Sequence, residues 1–188
     1  SARRHEHVKK VIVASSDKAY GNQEKLPYTE DSPLLAVYPY DASKTIAETL
    51  ARVYYHTYGL PVAVTRLANT YGPADIHLNR IVPGTIISVL KGEEPIIRSD
   101  GTLERDYMFV SDAVGAYLTL AENMDNKDLF GQAFNFGTGR PISALDLFNL
   151  IIKLCGSDVK PRILKEAKNE IKKQFLDRSK AKKLLNWE

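Results

Sequence analysis

The fold is set by residues 11–21, which read Val-Ile-Val-Ala-Ser-Ser-Asp-Lys-Ala-Tyr-Gly. The stretch opens with four apolar, mostly β-branched residues, and a run this short is typical of a strand buried on both faces. We therefore predict a strand over residues 9–16. Residues 15–18 are polar and end this strand. Because open α/β sheets place their ligand sites at the carboxyl ends of strands, we expect a functional site there.

A helix is predicted over residues 39–58, since Pro39 suits its first position and Gly59 its end. Tyr40 and Lys44 are four residues apart and therefore share one helix face. A free phenol titrates near ~10, and a neighbouring ammonium favours the phenolate. The pair can therefore supply a base for a hydroxyl proton. Tyrosine and lysine are common on helices, so the pattern gains its weight from the polar strand end upstream.

Five apolar or aromatic residues of the same helix recur at the spacing of a buried face. We expect them to pack in the core or to form a surface for a partner helix, rather than to bind a cofactor. These residues are Ile46, Leu50, Val53, Tyr54 and Tyr58.

A second apolar segment, residues 61–67, predicts another buried strand. Two apolar strands joined by a helix favour a parallel sheet. Asn69 follows this strand in the sequence Asn-Thr-Tyr-Gly-Pro, whose residues are also common in turns. From the residues alone, a turn is the preferred interpretation of Asn69, and a site residue is the alternative.

Further elements follow from periodicity, capping residues and turn signals. They are a long loop over 17–37, a helix over 80–91, a strand over 95–99 with a hairpin signal at 100–101, a helix from Ser111 or Asp112 to about 124, a strand and turn over 133–139, and a helix that begins at Ser143.

Composition is that of an ordinary globular protein, with 188 residues, 44% hydrophobic and 26% charged. The net charge of +3 is too small to indicate nucleic acid, and a single cysteine excludes an internal disulfide. No apolar run approaches a membrane span of about 18 residues, and no leader peptide is recognisable, so a cytoplasmic protein is expected. His5 and His7 do not share a helix face, so we expect no metal site.

The segment 160–183 carries ten Lys/Arg and three Asp/Glu, a local charge of 10 − 3 = +7. Such a patch could attract nucleic acid or an anionic nucleotide-sugar, or simply be solvated. No nucleic-acid motif accompanies it, so a solvated face is preferred and no nucleic-acid or membrane partner is expected.

Two motifs, Ser-Ser-Asp-Lys-Ala-Tyr-Gly at 15–21 and Tyr-Asp-Ala-Ser-Lys at 40–44, resemble the extended short-chain dehydrogenase/reductase family. This family comprises NAD-dependent nucleotide-sugar epimerases and dehydratases. The Asp17–Lys18 pair is most similar to the CDP-glucose 4,6-dehydratase group, and the resemblance extends over nearly the whole chain.

The resemblance implies an α/β fold: the C-terminal part of a doubly wound parallel, Rossmann-like sheet plus a small α/β substrate-binding domain. Residues 1–68 would be the remainder of the NAD-binding domain. Residues 69–188 would be mainly the substrate domain, with some elements returning to the sheet. The glycine-rich loop that begins such proteins is not in this sequence, so a fragment that is inactive alone is expected.

The resemblance also implies roles for individual residues, with NAD as cofactor, a nucleotide-sugar as substrate and a homodimer as the assembly. The catalytic residues would be Ser16, Asp17, Lys18, Tyr40 and Lys44. The cofactor would be bound by Ala14, Ser15, Tyr40 and Lys44, and the substrate by Asn69, Arg80 and Arg105.

Three functions remain open at this point. A 4,6-dehydratase would use Asp17 as acid and Lys18 in the elimination, although many sugar dehydratases carry glutamate at the Lys18 position. A 4-epimerase would need only Ser16, Tyr40 and Lys44. The third possibility is a non-catalytic fragment that binds sugar nucleotides. The Asp17–Lys18 pair favours the dehydratase.

Overall fold

The computed structural model describes residues 2–5, 7–166 and 170–188. Its strands are β1 (Val11–Ser16), β2 (Val62–Leu67), β3 (Asn69–Tyr71), β4 (Ile96–Ile97), β5 (Glu104–Arg105), β6 (Tyr107–Phe109), β7 (Ala133–Phe136), β8 (Ile142–Ser143), β9 (Arg162–Ile163) and β10 (Lys173–Gln174). Its α-helices are α1 (Pro39–Tyr58), α2 (Ile81–Lys91), α3 (Val110–Asn123), α4 (Ala144–Leu154) and α5 (Ser179–Leu185). Short 3₁₀ turns occupy Ala2–Arg4, Asp17–Tyr20 and Lys127–Leu129.

The central sheet has the order β1-β2-β7, and both strand pairs are parallel. Helix α1 connects β1 to β2 and packs on both strands. Helix α3 packs on β2, and α5 packs on β7. The predicted parallel α/β sheet is therefore confirmed, and elements from the end of the chain return to it.

A second group of short strands lies beside this sheet. Strand β5 pairs in parallel with β10 and antiparallel with β8, while β4 pairs with β9 and β3 with β6. Helices α2 and α4 pack on one another over a small core of Ile97, Phe148 and Ile152. The main core lies under the central sheet, where Phe136 meets Trp187 edge to face with ring centres 5.1 Å apart.

Helix α1 has the predicted bounds, and Gly59 ends it in the left-handed conformation with a φ of 64°. The strand predicted over 61–67 is confirmed as Val62–Leu67, and the strand and turn predicted over 133–139 contain the strand Ala133–Phe136. Ser143 caps α4 by accepting a hydrogen bond from the amide of Asp146, as its position suggested. These predictions depend on capping residues and apolar runs, which act on the backbone beside them and can be read directly from the sequence.

The prediction that β1 is buried on both faces is wrong. Val11, Ile12 and Val13 are only partly buried and Ala14 is exposed, whereas every residue of β2 except Leu67 is buried. Among the described residues β1 is hydrogen-bonded to β2 alone, so its second edge is uncovered. Burial of a strand depends on what lies beside it, which its own residues do not specify.

Core packing of the apolar residues along α1 is also not observed. Ile46 is 59% exposed, and its four companions are all exposed as well, namely Leu50, Val53, Tyr54 and Tyr58. These five residues form one outward surface, the α1 apolar face. The alternative that the sequence left open, a surface for a partner helix, is consistent with this exposure.

Two smaller predictions are corrected. Helix α3 begins at Val110 directly after β6, so Phe109 precedes it and no side chain caps it. Ser111 instead donates to Asp112 within the first turn, at 3.3 Å. The hairpin at residues 100–101 is absent among the described strands, because β4 pairs with β9 and β5 pairs with β8 and β10.

Candidate active site

The polar residues that end β1 form a tight turn at the edge of the sheet. The Ser16 hydroxyl accepts a hydrogen bond from the Lys18 amide at 3.3 Å and donates to Asp17 Oδ1 at 3.0 Å. These two bonds start the 3₁₀ turn Asp17–Tyr20 directly at the strand end. A serine cap followed by an acidic residue is a favourable way to begin such a turn.

A cavity of about 760 Å³ opens above this turn, a size typical of small-molecule sites. Its walls come from the carboxyl end of the central sheet, from α1 and α2, and from the second group of strands. The structure brings all the predicted site residues to this one cavity. They are Ala14, Ser15, Ser16, Asp17, Lys18, Tyr40, Lys44, Asn69, Arg80 and Arg105.

Tyr40 and Lys44 lie on the cavity side of α1. The Lys44 ammonium is 5.7 Å from the centre of the Tyr40 ring and donates to the Ala14 carbonyl at 3.3 Å. Lys44 therefore joins the first turns of α1 to the end of β1. Tyr40 is 56% exposed, so its phenol is open to a ligand in the cavity.

Asp17 is almost completely buried, with 1% of its surface exposed. Its Oδ1 accepts from Ser16, but its Oδ2 has no hydrogen-bond partner among the described residues. Burial raises the pKa of Asp17, while the nearby Lys18 charge and the Ser16 hydrogen bond oppose that rise. Asp17 therefore keeps its proton to a higher pH than an exposed aspartate does, which suits a general acid.

The Lys18 side chain extends toward β10 and not toward Asp17. Its Nζ donates to Gln174 Oε1 at 2.6 Å. Burial lowers the pKa of Lys18, and the charge of Asp17 opposes that effect. Because the effect of burial is the larger one, the partly buried Lys18 holds a neutral amine at a lower pH than an exposed lysine does, despite the nearby Asp17.

The two predicted anion-binding arginines already contact carboxylates. Arg105 is largely buried in β5, where it donates to the Glu104 carbonyl at 2.8 Å and lies 3.3 Å from a Glu170 oxygen. Arg80 directly precedes α2 and lies 3.3 Å from Asp75. Since Glu170 and Asp75 also line the cavity, each arginine is aimed at it.

Asn69 does not lie in a turn, which was the preferred interpretation from the residues alone. It begins β3, which pairs in parallel with β6. Its side-chain amide lies 3.4 Å from the Asp106 carbonyl. Asn69 therefore lines the cavity from a strand.

Sequence reasoning missed the buried network beneath the cavity. Arg66 of β2 makes a bidentate ion pair with Glu48 of α1 and donates to the Tyr20 hydroxyl at 2.6 Å. Tyr20 in turn donates to Asn135 Oδ1 at 2.7 Å. These four residues, the Arg66 network, are all fully or almost fully buried. The signal that could have revealed it is Glu48, which follows Lys44 by one helical turn on the same face.

Asp106 was also missed. Its carboxylate accepts hydrogen bonds from the amides of Thr138 and Gly139, each at 3.0 Å. Gly137 fits this close approach because a Cβ there would lie 2.5 Å from Asp106 Oδ2. The buried carboxylate of Asp106, which lies between β5 and β6, thus holds the predicted turn after β7 in place.

The segment 160–183 is only partly described, since residues 167–169 lie outside the described residues. Within the described part, Lys173 pairs with Glu104 and Arg162 with Glu94. Lys180 reaches the Ala133 carbonyl at 2.9 Å. Several of its charges are therefore committed to structural contacts.

Two negative findings apply to the described part of the chain. It contains no group of three or more His, Cys, Asp or Glu side chains arranged to hold a metal ion. None of its helices has the length and apolarity needed to cross a bilayer.

The chain is similar to known proteins in both sequence and fold. The family model for the NAD dependent epimerase/dehydratase family matches residues 1–137. A UDP-glucuronate 4-epimerase of Thermodesulfobacterium geofontis is 37% identical, over 96% of this chain and 54% of its own length.

Two solved structures show the same fold. A UDP-glucose 4-epimerase of Thermotoga maritima superposes with a TM-score of 0.87 and 34% identity, over 97% of this chain and 59% of that one. A dTDP-glucose 4,6-dehydratase double mutant of Streptomyces venezuelae, solved with NAD bound, gives a TM-score of 0.86 and 27% identity, over 96% and 55%. The chain thus spans about half the length of the relatives it matches.

NAD fits the side chains at the end of β1. The Ser15 hydroxyl is buried without a partner among the described residues, and the Lys44 ammonium, which donates to the Ala14 carbonyl, supplies further N–H donors to the same cavity. Hydroxyl and ammonium groups are what a ribose or nicotinamide group requires for hydrogen bonding. The predicted family, the Rossmann-like fold class and NAD as the family's cofactor are confirmed, and the chain belongs to the NAD dependent epimerase/dehydratase family.

Proposed function

We propose that this chain carries the catalytic side chains of an NAD-dependent nucleotide-sugar 4,6-dehydratase similar to CDP-glucose 4,6-dehydratase. The observation that carries the proposal is the buried Asp17, which has one unpartnered oxygen and Lys18 beside it. An acid–base pair at this place is what loss of water across C5–C6 requires, and epimerisation at C4 has no use for it.

The first half of the reaction uses α1. Tyr40, as phenolate, takes the proton of the sugar 4-hydroxyl, and the Lys44 ammonium stabilises that phenolate. Ser16 orients the same hydroxyl by hydrogen bonding. When bound, NAD would supply the hydride acceptor for C4 and the hydride donor for C6.

The second half uses the turn after β1. The 4-ketone acidifies the C5 proton, which the neutral Lys18 amine removes. Asp17 protonates the departing 6-hydroxyl, which leaves as water. Lys18 then gives its proton back to C5 as C6 is reduced, so the net change is the loss of one water molecule.

Substrate binding is assigned to Asn69, Arg80 and Arg105. A guanidinium fork matches the oxygens of a diphosphate, and the carboxylates now near the two arginines would give way to it. We assign residues 1–68 to the NAD-binding domain. Residues 69–188 are assigned mainly to the substrate domain, with β7, α3 and α5 returning to the sheet.

The assembly assigned to the protein is a homodimer in the cytoplasm, and the α1 apolar face supports the homodimer. An exposed apolar surface along a 20-residue helix marks an interaction surface more often than it marks simple solvent exposure. A two-fold pair would place the same helix of each copy face to face.

A 4-epimerase is the second candidate, supported by the 37% identity to the UDP-glucuronate 4-epimerase of Thermodesulfobacterium geofontis. It would use Ser16, Tyr40 and Lys44 alone. A non-catalytic sugar-nucleotide-binding role is the third candidate, supported by the partial coverage of the relatives.

The decisive experiment incubates the natural protein that contains this sequence with NAD and CDP-glucose, then with UDP-glucose, and follows the sugar by NMR. A 4-keto-6-deoxy product is expected. A product epimerised at C4 that keeps its C6 oxygen would replace the dehydratase with the epimerase, and no product from any sugar nucleotide would favour the binding role.

Tyr40→Phe is the matching variant, with Tyr54→Phe on the same helix as control. We expect Tyr40→Phe to lower turnover by about 10²–10⁴-fold, the usual contribution of a general base. Tyr54 lies on the α1 apolar face, outside the cavity, and its loss of a hydroxyl should leave turnover unchanged.

A further inference from the structure

We propose that Gln174, in β10, is a positioning residue that aims the Lys18 amine into the cavity through a neutral amide. The inference rests on the proposed function, in which Lys18 removes the C5 proton. It assigns a role to a residue that lies 156 positions from Lys18 in the sequence.

The Gln174 side chain holds the turn after β1 at two points. Its Oε1 accepts from Lys18 Nζ at 2.6 Å, and its Nε2 donates to the Asp17 carbonyl at 2.7 Å. Gln174 has none of its surface exposed. One amide thus fixes both the backbone of Asp17 and the end of the Lys18 side chain.

Gln174 is itself held on both sides. Strand β10 pairs with β5, and the Asp106 amide donates to the Gln174 carbonyl at 3.2 Å. The next residue, Phe175, accepts from the Tyr28 amide at 3.0 Å. Two backbone contacts on opposite sides of β10 restrict the movement of the amide, which is the condition for precise orientation of another side chain.

The absence of a formal charge on Gln174 matters because charges already surround Lys18. Asp17 lies on the same turn, Asp41 on α1, Arg105 on β5 and Glu170 beyond β9. Of these four groups, three are carboxylates, which favour the charged ammonium. A fourth carboxylate at 174 would favour it further. An amide oxygen accepts one N–H and leaves the lone pair of the neutral amine free for a proton.

The test compares Gln174→Glu with the wild-type protein. The pKa of Lys18 is measured without substrate, by trace acylation of lysines over a pH series and mass spectrometry of the peptide that contains Lys18. We expect the carboxylate to raise the pKa of Lys18 by about one unit or more, which lowers the neutral fraction tenfold at neutral pH. An unchanged Lys18 pKa in this variant would overturn the proposal.

The same variant is assayed for product formation over pH. The proposal expects about a tenfold lower rate near pH 7 and recovery at alkaline pH. A uniform loss of rate with no change of pH profile would indicate a merely structural role.

Gln174→Met provides a second test in case the protein does not fold with a buried carboxylate at position 174. It keeps the length of the side chain and removes both hydrogen bonds. A lower rate with no alkaline shift is expected, whereas a wild-type rate would contradict the proposal. Gln132→Glu, which adds the same charge at a partly exposed glutamine away from the cavity, is the control and should leave both measurements unchanged.

Failure of this inference is distinguishable from failure of the proposed function. If the protein forms no 4-keto-6-deoxy sugar but Gln174→Glu still raises the pKa of Lys18, positioning by Gln174 stands and the dehydratase falls. If the product forms and the pKa of Lys18 does not move, the dehydratase stands and the positioning role falls.

Discussion

Two buried polar clusters meet at the turn Asp17–Tyr20. They differ in how completely their polar atoms are hydrogen-bonded. In the Arg66 network, an ion pair, a phenol and an amide satisfy one another beneath the sheet edge. In the second cluster, Ser15 and Asp17 each keep a buried oxygen without a partner among the described residues. The first arrangement stabilises a fold, and the second leaves bonding capacity for a ligand.

The electrostatics of the two clusters differ in the same way. Burial alone would lower the pKa of Arg66, but the hydrogen bond and charge of Glu48 raise it, so this guanidinium remains charged. In the second cluster burial dominates, raising the pKa of Asp17 and lowering that of Lys18. Partners thus determine whether a buried group keeps its charge or approaches neutrality.

The largest effect is expected from Glu48→Gln, which leaves the Arg66 charge buried without its counter-ion. Removing one partner of a buried pair costs about 3–5 kcal/mol of unfolding free energy. Urea unfolding measures it. Glu104→Gln, which removes the partly exposed pair with Lys173, is the control and should cost about 0–1 kcal/mol. Equal losses in both variants would refute the contrast between buried and exposed pairs.

A smaller loss is expected from Tyr20→Phe. Burial raises the pKa of Tyr20 to about 12, so its phenol keeps its proton and donates to Asn135 at neutral pH. Without this hydroxyl the Asn135 oxygen loses its donor and Arg66 loses one acceptor, a loss of about 1–3 kcal/mol.

Tyr28→Phe is the matched control for Tyr20→Phe. Tyr28 is also fully buried, but among the described residues its hydroxyl bonds the backbone of Gly21 and Gln23 and no side chain. Its loss should be smaller, about 0.5–1.5 kcal/mol. If thermal unfolding showed a larger loss of stability for Tyr28→Phe than for Tyr20→Phe, the hydrogen bonds of Tyr20 in the Arg66 network would not be the more stabilising ones.

Asp17→Asn tests the incompletely bonded cluster. A carboxyl whose folded pKa is raised stabilises the fold below its unfolded value of 3.8, and this contribution is lost as pH rises through the folded pKa. Over this pH range the wild-type protein should therefore lose stability relative to Asp17→Asn, whose amide does not titrate. Urea unfolding over a pH series measures this difference. A loss of several kcal/mol at pH 8 would show that the carboxylate is structurally required.

Lys18→Met tests the lysine of the same cluster, whose pKa is lowered by burial. A lowered lysine pKa stabilises the fold above the unfolded value of 10.5, and this contribution is lost as pH falls through the folded pKa. Between pH 7 and pH 10 the wild-type protein should gain stability relative to Lys18→Met. Parallel stability curves for the two proteins would contradict the lowered pKa.

The smallest effect on unfolding is expected from Ile46→Glu on the α1 apolar face. Ile46 is more than half exposed, so its replacement should change the unfolding free energy by no more than about 0.5 kcal/mol. The same change should reduce self-association in sedimentation velocity if the face forms the homodimer. Unchanged association would remove the support for this dimer surface.

Much of the site was predictable because its elements carry their own signals. Pro39 and Gly59 bound α1, and the Tyr40–Lys44 spacing fixes one face of it. Polar residues at the ends of two parallel strands must meet at one edge of the sheet, which is why Ser16 and Asn69 line one cavity.

The rest depends on pairing over long distances, which a single sequence does not reveal. Nothing in Lys172-Lys173-Gln174 indicates that the amide would reach Lys18, because β10 is placed by its pairing with β5. Likewise, Arg66 reads as one charge in an apolar strand until Glu48 lies beside it. The exposure of Ala14 depends on the uncovered edge of β1 and not on the residue itself.

The late position of Gln174 has a consequence for synthesis of the protein. A ribosome delivers Asp17 and Lys18 before Gln174, the residue that holds Lys18, which emerges 156 residues after it. During that interval the nascent chain can form α1 and pair β1 with β2, since these contacts are closer in sequence. The acid and the amine would therefore be brought into register only when β10 docks.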